Sequence, residues 1–228
     1  MSELKHLAVI MDGNRRWAKD NNLSTLDGHR QGYDKLKTVG EWCIKRGIKT
    51  LTVYAFSTEN WNRSQEEVVY LMDLLYNAVT KEVIEFDKRG IKLKVIGTRD
   101  RLSEKMITAI NEAEERTKNN TAGTLNLCIN YGGRLEIVEA VKKIMAEGKS
   151  PEEVDENLIS ANIWMAGETD PDLVIRTSGE QRLSGFMTWE SVYSEFLFID
   201  KHWPAFSEED LDQAVDDFNN RHRRFGGN

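Results

Sequence analysis

The sequence predicts an α/β fold, a single domain whose mainly parallel six-stranded sheet is flanked by helices. Short runs rich in β-branched and aromatic residues alternate with longer segments of helical periodicity along the whole chain. This alternation is the pattern of successive βαβ units. No linker rich in proline, glycine or serine, no repeat and no low-complexity tract interrupts it. We therefore interpret residues 1–228 as one domain.

Six runs have the length and composition of strands. They are Leu7–Met11, Thr50–Phe56, Ile91–Ile96, Thr124–Asn130, Leu173–Ile175 and Glu195–Ile199. The segments between and after them predict helices over Gly32–Arg46, Glu66–Lys88, Ser103–Lys118, Leu135–Glu147, Pro151–Trp164 and Glu208–Arg224. Two helix starts carry capping signals, because Ser64 precedes Glu67 at capping-box spacing and Ser207 begins an acidic first turn.

The predicted helix over residues 66–88 is apolar around much of its circumference. Val68, Leu71, Leu75 and Val79 form one stripe, and further aliphatic residues widen it. Such a helix faces apolar material on two sides. It is either packed between the sheet and a neighbouring helix, or one side lines a hydrophobic channel.

Composition excludes several classes of protein. The chain is 39% hydrophobic and 30% charged, as expected for a soluble globular protein, and no run approaches the roughly 20 apolar residues of a membrane span. We expect neither secretion nor membrane spanning, and we expect Cys43 and Cys128 to be buried thiols in a reducing cytosol. The net charge of −7 disfavours nucleic-acid binding, so an anionic partner needs a local basic cluster.

Residues that suit phosphate collect just after the predicted strands. In open α/β sheets ligands bind beyond the carboxyl ends of the strands, where loops and helix starts converge. Arginine recurs there with glycine and small hydroxyl residues, as at Arg16, Arg176 and Arg182. A single surface arginine is ordinarily solvated, but guanidinium groups and free backbone N–H groups together match phosphate oxygens. The pattern predicts a polyphosphate ligand.

Two carboxylates are candidate ligands for Mg²⁺. Asp12 follows the first strand beside the arginines and could hold the ion together with diphosphate oxygens, although it could also be a simple loop cap. Glu195 is a weaker candidate at the start of the last strand. His29 lies close to the Asp12 loop and is either a ligand contact or a structural hydrogen-bonding residue. The chain has no GxxxxGK[ST], GxGxxG, GxSxG or DDxxD motif.

Several of these segments resemble the cis-prenyltransferase (isoprenyl transferase) family, most of all its bacterial undecaprenyl diphosphate synthases. The matching segments are HLAVIMDGNRRWA at 6–18, LTVYAFSTENWNR at 51–63, NYGGR at 130–134, LVIRTSGEQRLS at 173–184, YSEFLF at 193–198 and RRFGG at 223–227. They follow the family's order along nearly the whole chain. A match of this breadth is far more specific than any one of the motifs.

The resemblance implies a Mg²⁺-dependent homodimeric enzyme of the cytoplasm, with peripheral membrane contact for product release. It would add isopentenyl diphosphate to an allylic diphosphate such as farnesyl diphosphate, with the growing chain in a hydrophobic tunnel. The implied product is a long-chain polyprenyl diphosphate such as undecaprenyl diphosphate, a precursor of the cell-wall lipid carrier. A short-chain synthase and a non-catalytic prenyl-phosphate-binding accessory subunit remain as alternatives.

The resemblance also implies residue roles. Asp12 would be the catalytic, metal-linked aspartate and Glu195 a further metal ligand. The allylic diphosphate would be held by Gly13, Asn14, Arg15, Arg16, Trp17 and His29. The second motif comprises Ser57, Thr58, Glu59, Asn60, Trp61 and Arg63. The homoallylic diphosphate would be held by Arg176, Arg182, Leu183 and Ser184. The C-terminal Arg224 and Gly226 would complete the partner subunit's site.

Asn60 is often assigned to proton removal in the family. A neutral amide is too weak a base, so orienting the substrate or a proton-accepting phosphate oxygen is the better role. Four positions depart from the usual family pattern. Arg15 stands in place of glycine, Thr25 in place of an arginine, Gly185 in place of asparagine and Gly123 in place of a larger apolar residue. Arg15 could restore the cation absent at Thr25.

Overall fold

The computed structural model describes residues 4–221 and contains one six-stranded sheet that is parallel throughout. The strands are β1 (His6–Ile10), β2 (Thr50–Ser57), β3 (Ile91–Ile96), β4 (Gly123–Tyr131), β5 (Leu173–Thr177) and β6 (Glu195–Ile199). Their spatial order is β3-β4-β2-β1-β5-β6, so β2 and β1 lie at the centre. The predicted α/β class and all six predicted strands are confirmed.

The helices cover both faces of this sheet. They are α1 (Asn14–Asp20), α2 (Thr25–Lys45), α3 (Gln65–Asn77), α4 (Val83–Lys88), α5 (Glu104–Thr117), α6 (Gly133–Ala146), α7 (Glu156–Asn162) and α8 (Glu208–Asn219). A π-helical turn, Ala78–Glu82, joins α3 to α4. No helix in the part of the chain that the structure describes is long and apolar enough to cross a membrane.

Side-chain alternation along the strands builds two hydrophobic cores. In β1, Leu7 and Val9 face a core shared with α2, α3, α4, α5 and α8. Ala8 and Ile10 face the opposite core, which contains α6 and α7. Both cysteines are buried free thiols, as predicted, and burial raises the pKa of Cys43 to about 12.

The predicted helix bounds were wrong in four places, one of which is α8, because it ends at Asn219 whereas the prediction continued to Arg224. The sequence did not predict α1, whose seven residues follow a glycine rather than a side-chain cap. It placed the start of α2 at Gly32, whereas Ser24 and Asp27 form a reciprocal capping box and begin the helix at Thr25. The segment predicted as a helix from Pro151 to Trp164 is a short 3₁₀ turn followed by α7, because Asp155 caps a new start.

Candidate active site

A cleft of about 770 Å³ opens beside the carboxyl end of β1. Its polar end is lined by α1 and the loop before it, and by residues of α2 and the loop after β2. Eight residues predicted from sequence lie on its wall: Asp12, Gly13, Asn14, Arg15, Arg16, His29, Asn60 and Arg63. The convergence of loops and helix starts predicted for this edge of the sheet is therefore present.

Asp12 and Arg176 form the central ion pair of this region. Arg176 Nη2 donates to Asp12 Oδ2 at 2.8 Å, and only 5% of the arginine side chain is exposed. Arg176 Nη1 donates to Ser184 Oγ at 2.9 Å and to the Arg182 carbonyl. Arg176 Nε is buried without a hydrogen-bond partner among the described residues, which leaves one N–H donor unused.

The Asp12 carboxylate is held in its ionised form. Partial burial alone would raise the pKa of Asp12, but the hydrogen bond and charge of Arg176 and the charge of Arg16 lower it overall. Arg16 Nη2 lies 3.3 Å from Asp12 Oδ1, which also accepts from the Gly13 backbone N–H at 2.7 Å. Asp12 is therefore a carboxylate surrounded by donors, at a site rich in positive charge.

The backbone after Asp12 requires a glycine. Gly13 has φ of 100°, and a Cβ there would lie 2.6 Å from Ser178 Oγ and 2.8 Å from His202 Nδ1. The Asp12 carbonyl accepts from Thr177 Oγ1 at 2.7 Å and from the Trp203 backbone N–H at 3.0 Å. These contacts from the ends of β5 and β6 fix the turn that presents Asp12 to the cleft.

A second charged cluster in the cleft is organised by Glu67. Its Oε1 accepts from Arg63 Nη1 at 2.9 Å and lies 2.8 Å from His29 Nε2, and Arg15 lies 4.0 Å from its Oε2. Burial lowers the pKa of His29, opposed by its hydrogen bond to Glu67. Burial would raise the pKa of Glu67, but His29 and Arg63 lower it overall.

Sequence reasoning missed this role of Glu67. The capping-box spacing suggested that its side chain would return to the start of α3. Ser64 Oγ does accept from the Glu67 backbone N–H at 3.3 Å, but the carboxylate instead turns to His29 and Arg63. The available signal was the charge pattern, since Arg63 precedes Glu67 by four positions.

Some residues of the second motif, within 57–63, line the cleft, and the others hold the loop that carries them. Asn60 and Arg63 line the cleft, whereas Ser57, Thr58, Glu59 and Trp61 do not. Asn60 Oδ1 accepts from the Ser57 backbone N–H at 3.1 Å. Trp61 Nε1 donates to Asn130 Oδ1 at 2.7 Å, and its ring packs on Phe56 at a centroid distance of 5.0 Å. Trp61 thus braces the loop, and Trp17 also lies off the cleft wall.

The loop after β5 presents a third charged group. Arg182 has a side chain that is 60% exposed and pairs with Glu180. Glu180 also lies 3.3 Å from Arg16, which donates to the Ser178 carbonyl at 3.1 Å. Leu183 packs against the core beneath the loop rather than lining the cleft. Glu180, which the sequence did not single out, is the anion with which a diphosphate would compete for Arg16 and Arg182.

Glu195, the second predicted metal ligand, does not lie beside Asp12 within this chain. Strand pairing sets Glu195 level with Leu173 and therefore with Leu7, at the amino end of the sheet. Leu7 precedes Asp12 by five positions, about 16 Å along the strands at roughly 3.3 Å per residue. Glu195 instead accepts from Arg221 Nη1 at 2.7 Å. Arg224 and Gly226 lie outside the described residues.

The donor set fits a Mg²⁺ ion that is shared with a substrate. Mg²⁺ in proteins is commonly held by one or two carboxylates, with phosphate oxygens and waters completing its shell. Asp12 can supply one such carboxylate. No cluster of three or more His, Cys, Asp or Glu side chains within residues 4–221 could hold a metal alone.

The cleft continues into an apolar channel. Leu71, Leu74 and Leu75 of α3 line its deeper part, and a second cavity of about 310 Å³ follows between α2, α4 and the sheet. Four residues belong to the walls of both cavities. The helix over residues 66–88 therefore lines the cleft on one side, as one of its two interpretations predicts, and packs in the core through Val68, Val79 and Val83. A cationic cleft that leads into an apolar channel is what binding a diphosphate with a hydrocarbon tail requires.

Comparison with known proteins identifies the family. A family model described as putative undecaprenyl diphosphate synthase matches residues 10–226. An isoprenyl transferase of Streptococcus thermophilus is 47% identical over 230 residues, covering 97% of this chain and 92% of its own length. The ditrans,polycis-undecaprenyl-diphosphate synthase of Micrococcus luteus is 45% identical over 227 residues, covering 98% and 91%.

Solved structures agree with this relationship. Lavandulyl diphosphate synthase from Lavandula x intermedia, in complex with dimethylallyl diphosphate, matches with a TM-score of 0.94 at 36% identity over 98% of both chains. A probable undecaprenyl diphosphate synthase from Campylobacter jejuni matches with a TM-score of 0.83 at 33% identity over the full length of both. The chain belongs to the undecaprenyl diphosphate synthase family of prenyltransferases, as its sequence motifs predicted.

Proposed function

We propose that this protein condenses isopentenyl diphosphate with an allylic diphosphate, with farnesyl diphosphate as the preferred primer, and forms new cis double bonds. The observation that carries the proposal is that the Asp12 cleft has an apolar inner end and shares four wall residues with a second, apolar cavity. The polar end suits two diphosphates, and the channel suits a hydrocarbon chain that lengthens during repeated condensations.

The arginines in and beside the cleft stabilise the departing diphosphate. Breaking the allylic C1–O bond builds negative charge on the leaving group, and fixed cations aimed at such charge are usually the largest catalytic contribution. Arg16 lines the cleft, and Arg176 beneath it is already fixed by Asp12 and Ser184. Mg²⁺, when bound by Asp12 and the diphosphate, supplies further positive charge to the leaving group.

Asn60 orients groups rather than removing a proton. Its side-chain oxygen is occupied by the Ser57 backbone N–H, which leaves the amide N–H₂ to face a substrate oxygen. The proton lost from isopentenyl diphosphate then passes to a phosphate oxygen, a better acceptor than an amide. We assign the allylic diphosphate to the α1 side of the cleft and the homoallylic diphosphate to the Arg176–Ser184 side.

The channel retains the growing chain between steps. Each added unit buries five carbons in the channel. This strengthens binding of the chain by about 3–4 kcal/mol, at roughly 0.8 kcal/mol per CH₂-sized group. We propose a long-chain product such as undecaprenyl diphosphate, the product named for the Micrococcus luteus relative. A short-chain product remains the second candidate, because the lavender neighbour is named for one.

The assay combines the purified protein with farnesyl diphosphate, isopentenyl diphosphate and Mg²⁺, and product masses are read by mass spectrometry. We expect a ladder that rises in isoprene units and is lost in Asp12→Ala and on chelation of the metal. Diphosphate binding without any condensation would instead indicate an accessory prenyl-phosphate-binding subunit.

We also propose a homodimer that pairs through the β6 side of the sheet. At the opposite edge, the backbone N–H groups of Leu93 and Val95 in β3 are blocked by Thr117 Oγ1 at 3.0 Å and Glu114 Oε1 at 2.7 Å. The β6 side instead exposes Val192 by 70% and Tyr193 by 61%. Because the β3 edge is blocked and the β6 side is apolar, each chain can pair through one side only. This favours a closed dimer over open-ended association.

Sedimentation velocity tests this assembly. We expect the wild-type protein to be a dimer at micromolar concentration. The double variant Val192→Glu with Tyr193→Glu should be a monomer. Val69→Glu, on the exposed face of α3, is the matched control and should remain a dimer. A monomeric wild-type protein would contradict the dimer. We further propose a cytoplasmic enzyme that contacts the membrane surface when it releases product, which flotation with anionic lipid vesicles tests.

A further inference from the structure

The two cavities of the channel meet at a waist of four residues. These are Tyr33 and Leu36 of α2, Ala78 at the start of the π-helical turn, and Leu127 of β4. All four line both cavities. A prenyl chain that grows away from Asp12 has to pass this waist before it can occupy the second cavity.

Tyr33 is the one member of the waist with a polar group. Its hydroxyl is buried beside the Glu82 side chain. Burial and the charge of Glu82 raise the pKa of Tyr33, so the hydroxyl stays neutral. Because the hydroxyl oxygen is buried, it is the ring that Tyr33 presents to the two cavities.

The surroundings of Tyr33 hold its ring in place. Lys37 Nζ lies 5.2 Å from the ring centroid. The same ammonium lies 3.2 Å from Glu82 Oε1 and 3.1 Å from Asp34 Oδ1, so it links α2 to the end of the π-helical turn. π-helical turns inside α-helices occur frequently at functional sites. The ring is thus fixed between two walls of the channel.

We propose that Tyr33 is a specificity-determining residue for product length, because its ring narrows the waist through which the prenyl chain reaches the second cavity. This inference rests on the proposed condensation activity. Tyr33 contacts the hydrocarbon part of the substrate and not the diphosphates, so it acts on the number of condensations rather than on the chemical step.

The first test compares products of the wild type, Tyr33→Phe and Tyr33→Ala under identical substrate ratios by mass spectrometry. We expect Tyr33→Ala, which removes the ring, to lengthen the most abundant product by at least one isoprene unit. Tyr33→Phe, which keeps the ring and removes only the buried hydroxyl, should leave the most abundant product unchanged. Tyr76→Phe is the matched control, because Tyr76 lines neither cavity.

The second test blocks the second cavity at Gly40. A Cβ built on Gly40 meets no atom within 4 Å, and this glycine of α2 lines only the second cavity. Adding Gly40→Phe to Tyr33→Ala should return the products toward the wild-type length. Gly40→Phe alone should alter the product lengths of the wild type less than it alters those of Tyr33→Ala.

Equal or shorter products from Tyr33→Ala would overturn the proposal while leaving the condensation activity established. A complete absence of elongation in every protein, the wild type included, would instead contradict the proposed function. A shift in Tyr33→Phe as large as that in Tyr33→Ala would show that the ring is not the determinant and would also overturn the proposal.

Discussion

The Asp12 carboxylate and the Arg176 guanidinium lie 2.8 Å apart, although 164 positions separate them in the sequence. The parallel pairing of β1 with β5 creates this contact, because it sets Ile10 opposite Arg176. Asp12 follows two residues later, where the chain turns over the end of the sheet. The ion pair is therefore a direct consequence of strand order.

Replacing Asp12 by Asn should abolish condensation and leave the fold intact. Asparagine has the same shape but no charge to pair with Arg176 or to bind Mg²⁺, and Asp12 contributes no core volume. We expect kcat to fall by about 10³-fold or more. Steady-state kinetics measure this loss and circular dichroism monitors the fold. Activity within tenfold of the wild type would rule out the assigned role.

Arg176 in β5 and Arg182 in the loop after it should contribute unequally to isopentenyl diphosphate binding. Arg176 is 5% exposed and paired with Asp12, so Arg176→Ala removes a buried, fixed guanidinium and should weaken isopentenyl diphosphate binding by about 2–4 kcal/mol. Arg182 is 60% exposed, so Arg182→Ala should cost about 0–1 kcal/mol. Separate titrations of the two substrates measure both effects. Equal losses for the two variants would contradict the observed difference in burial.

Arg15 and Thr25 line the same cleft, which allows Arg15 to replace the cation absent at Thr25. We expect Arg15→Ala to raise the KM for farnesyl diphosphate and Thr25→Arg to restore most of that loss in the double variant. A double-mutant cycle measures the coupling. A coupling energy within about 0.5 kcal/mol of zero would show that the two positions act independently.

Glu190 should make the protein less stable as pH rises. Burial and the neighbouring Glu136 raise the pKa of Glu190 to about 8 from an ordinary 4.5, so folding takes up a proton between these values. The free energy of unfolding should therefore fall as pH rises from about 5 to 8. Glu190→Gln removes the titrating group, and its advantage over the wild type should grow across that range.

Urea denaturation at pH 6 and pH 8.5 measures this effect. Glu112→Gln, which removes an exposed acid on α5, is the control and should leave the pH dependence unchanged. An unchanged pH dependence in Glu190→Gln would exclude Glu190 as its source.

Sequence periodicity predicted the sheet well because the strands are buried and their apolar runs are continuous, as in β1 and β5. It failed at α1, where no capping side chain and few apolar residues mark a helix that tertiary contacts stabilise. The strand-end rule placed Asp12, Arg16 and Arg176 together correctly, because it depends only on parallel topology.

Other features of the site depend on side-chain direction, which sequence spacing does not determine. Glu67 could have capped its helix but turns to His29 and Arg63. Glu195, the weaker metal candidate from the sequence, begins its strand while Asp12 follows one. The two therefore lie at opposite ends of the sheet.

The most direct measurement of the proposed function is the geometry of the new double bond. The protein is supplied with farnesyl diphosphate, Mg²⁺ and ¹³C-labelled isopentenyl diphosphate, and the product is analysed by NMR. We predict that every added unit carries a cis double bond and that Asp12→Asn adds none. Added units with trans double bonds, or no added unit from any allylic primer, would contradict the assignment of this cleft and channel to cis-prenyl transfer.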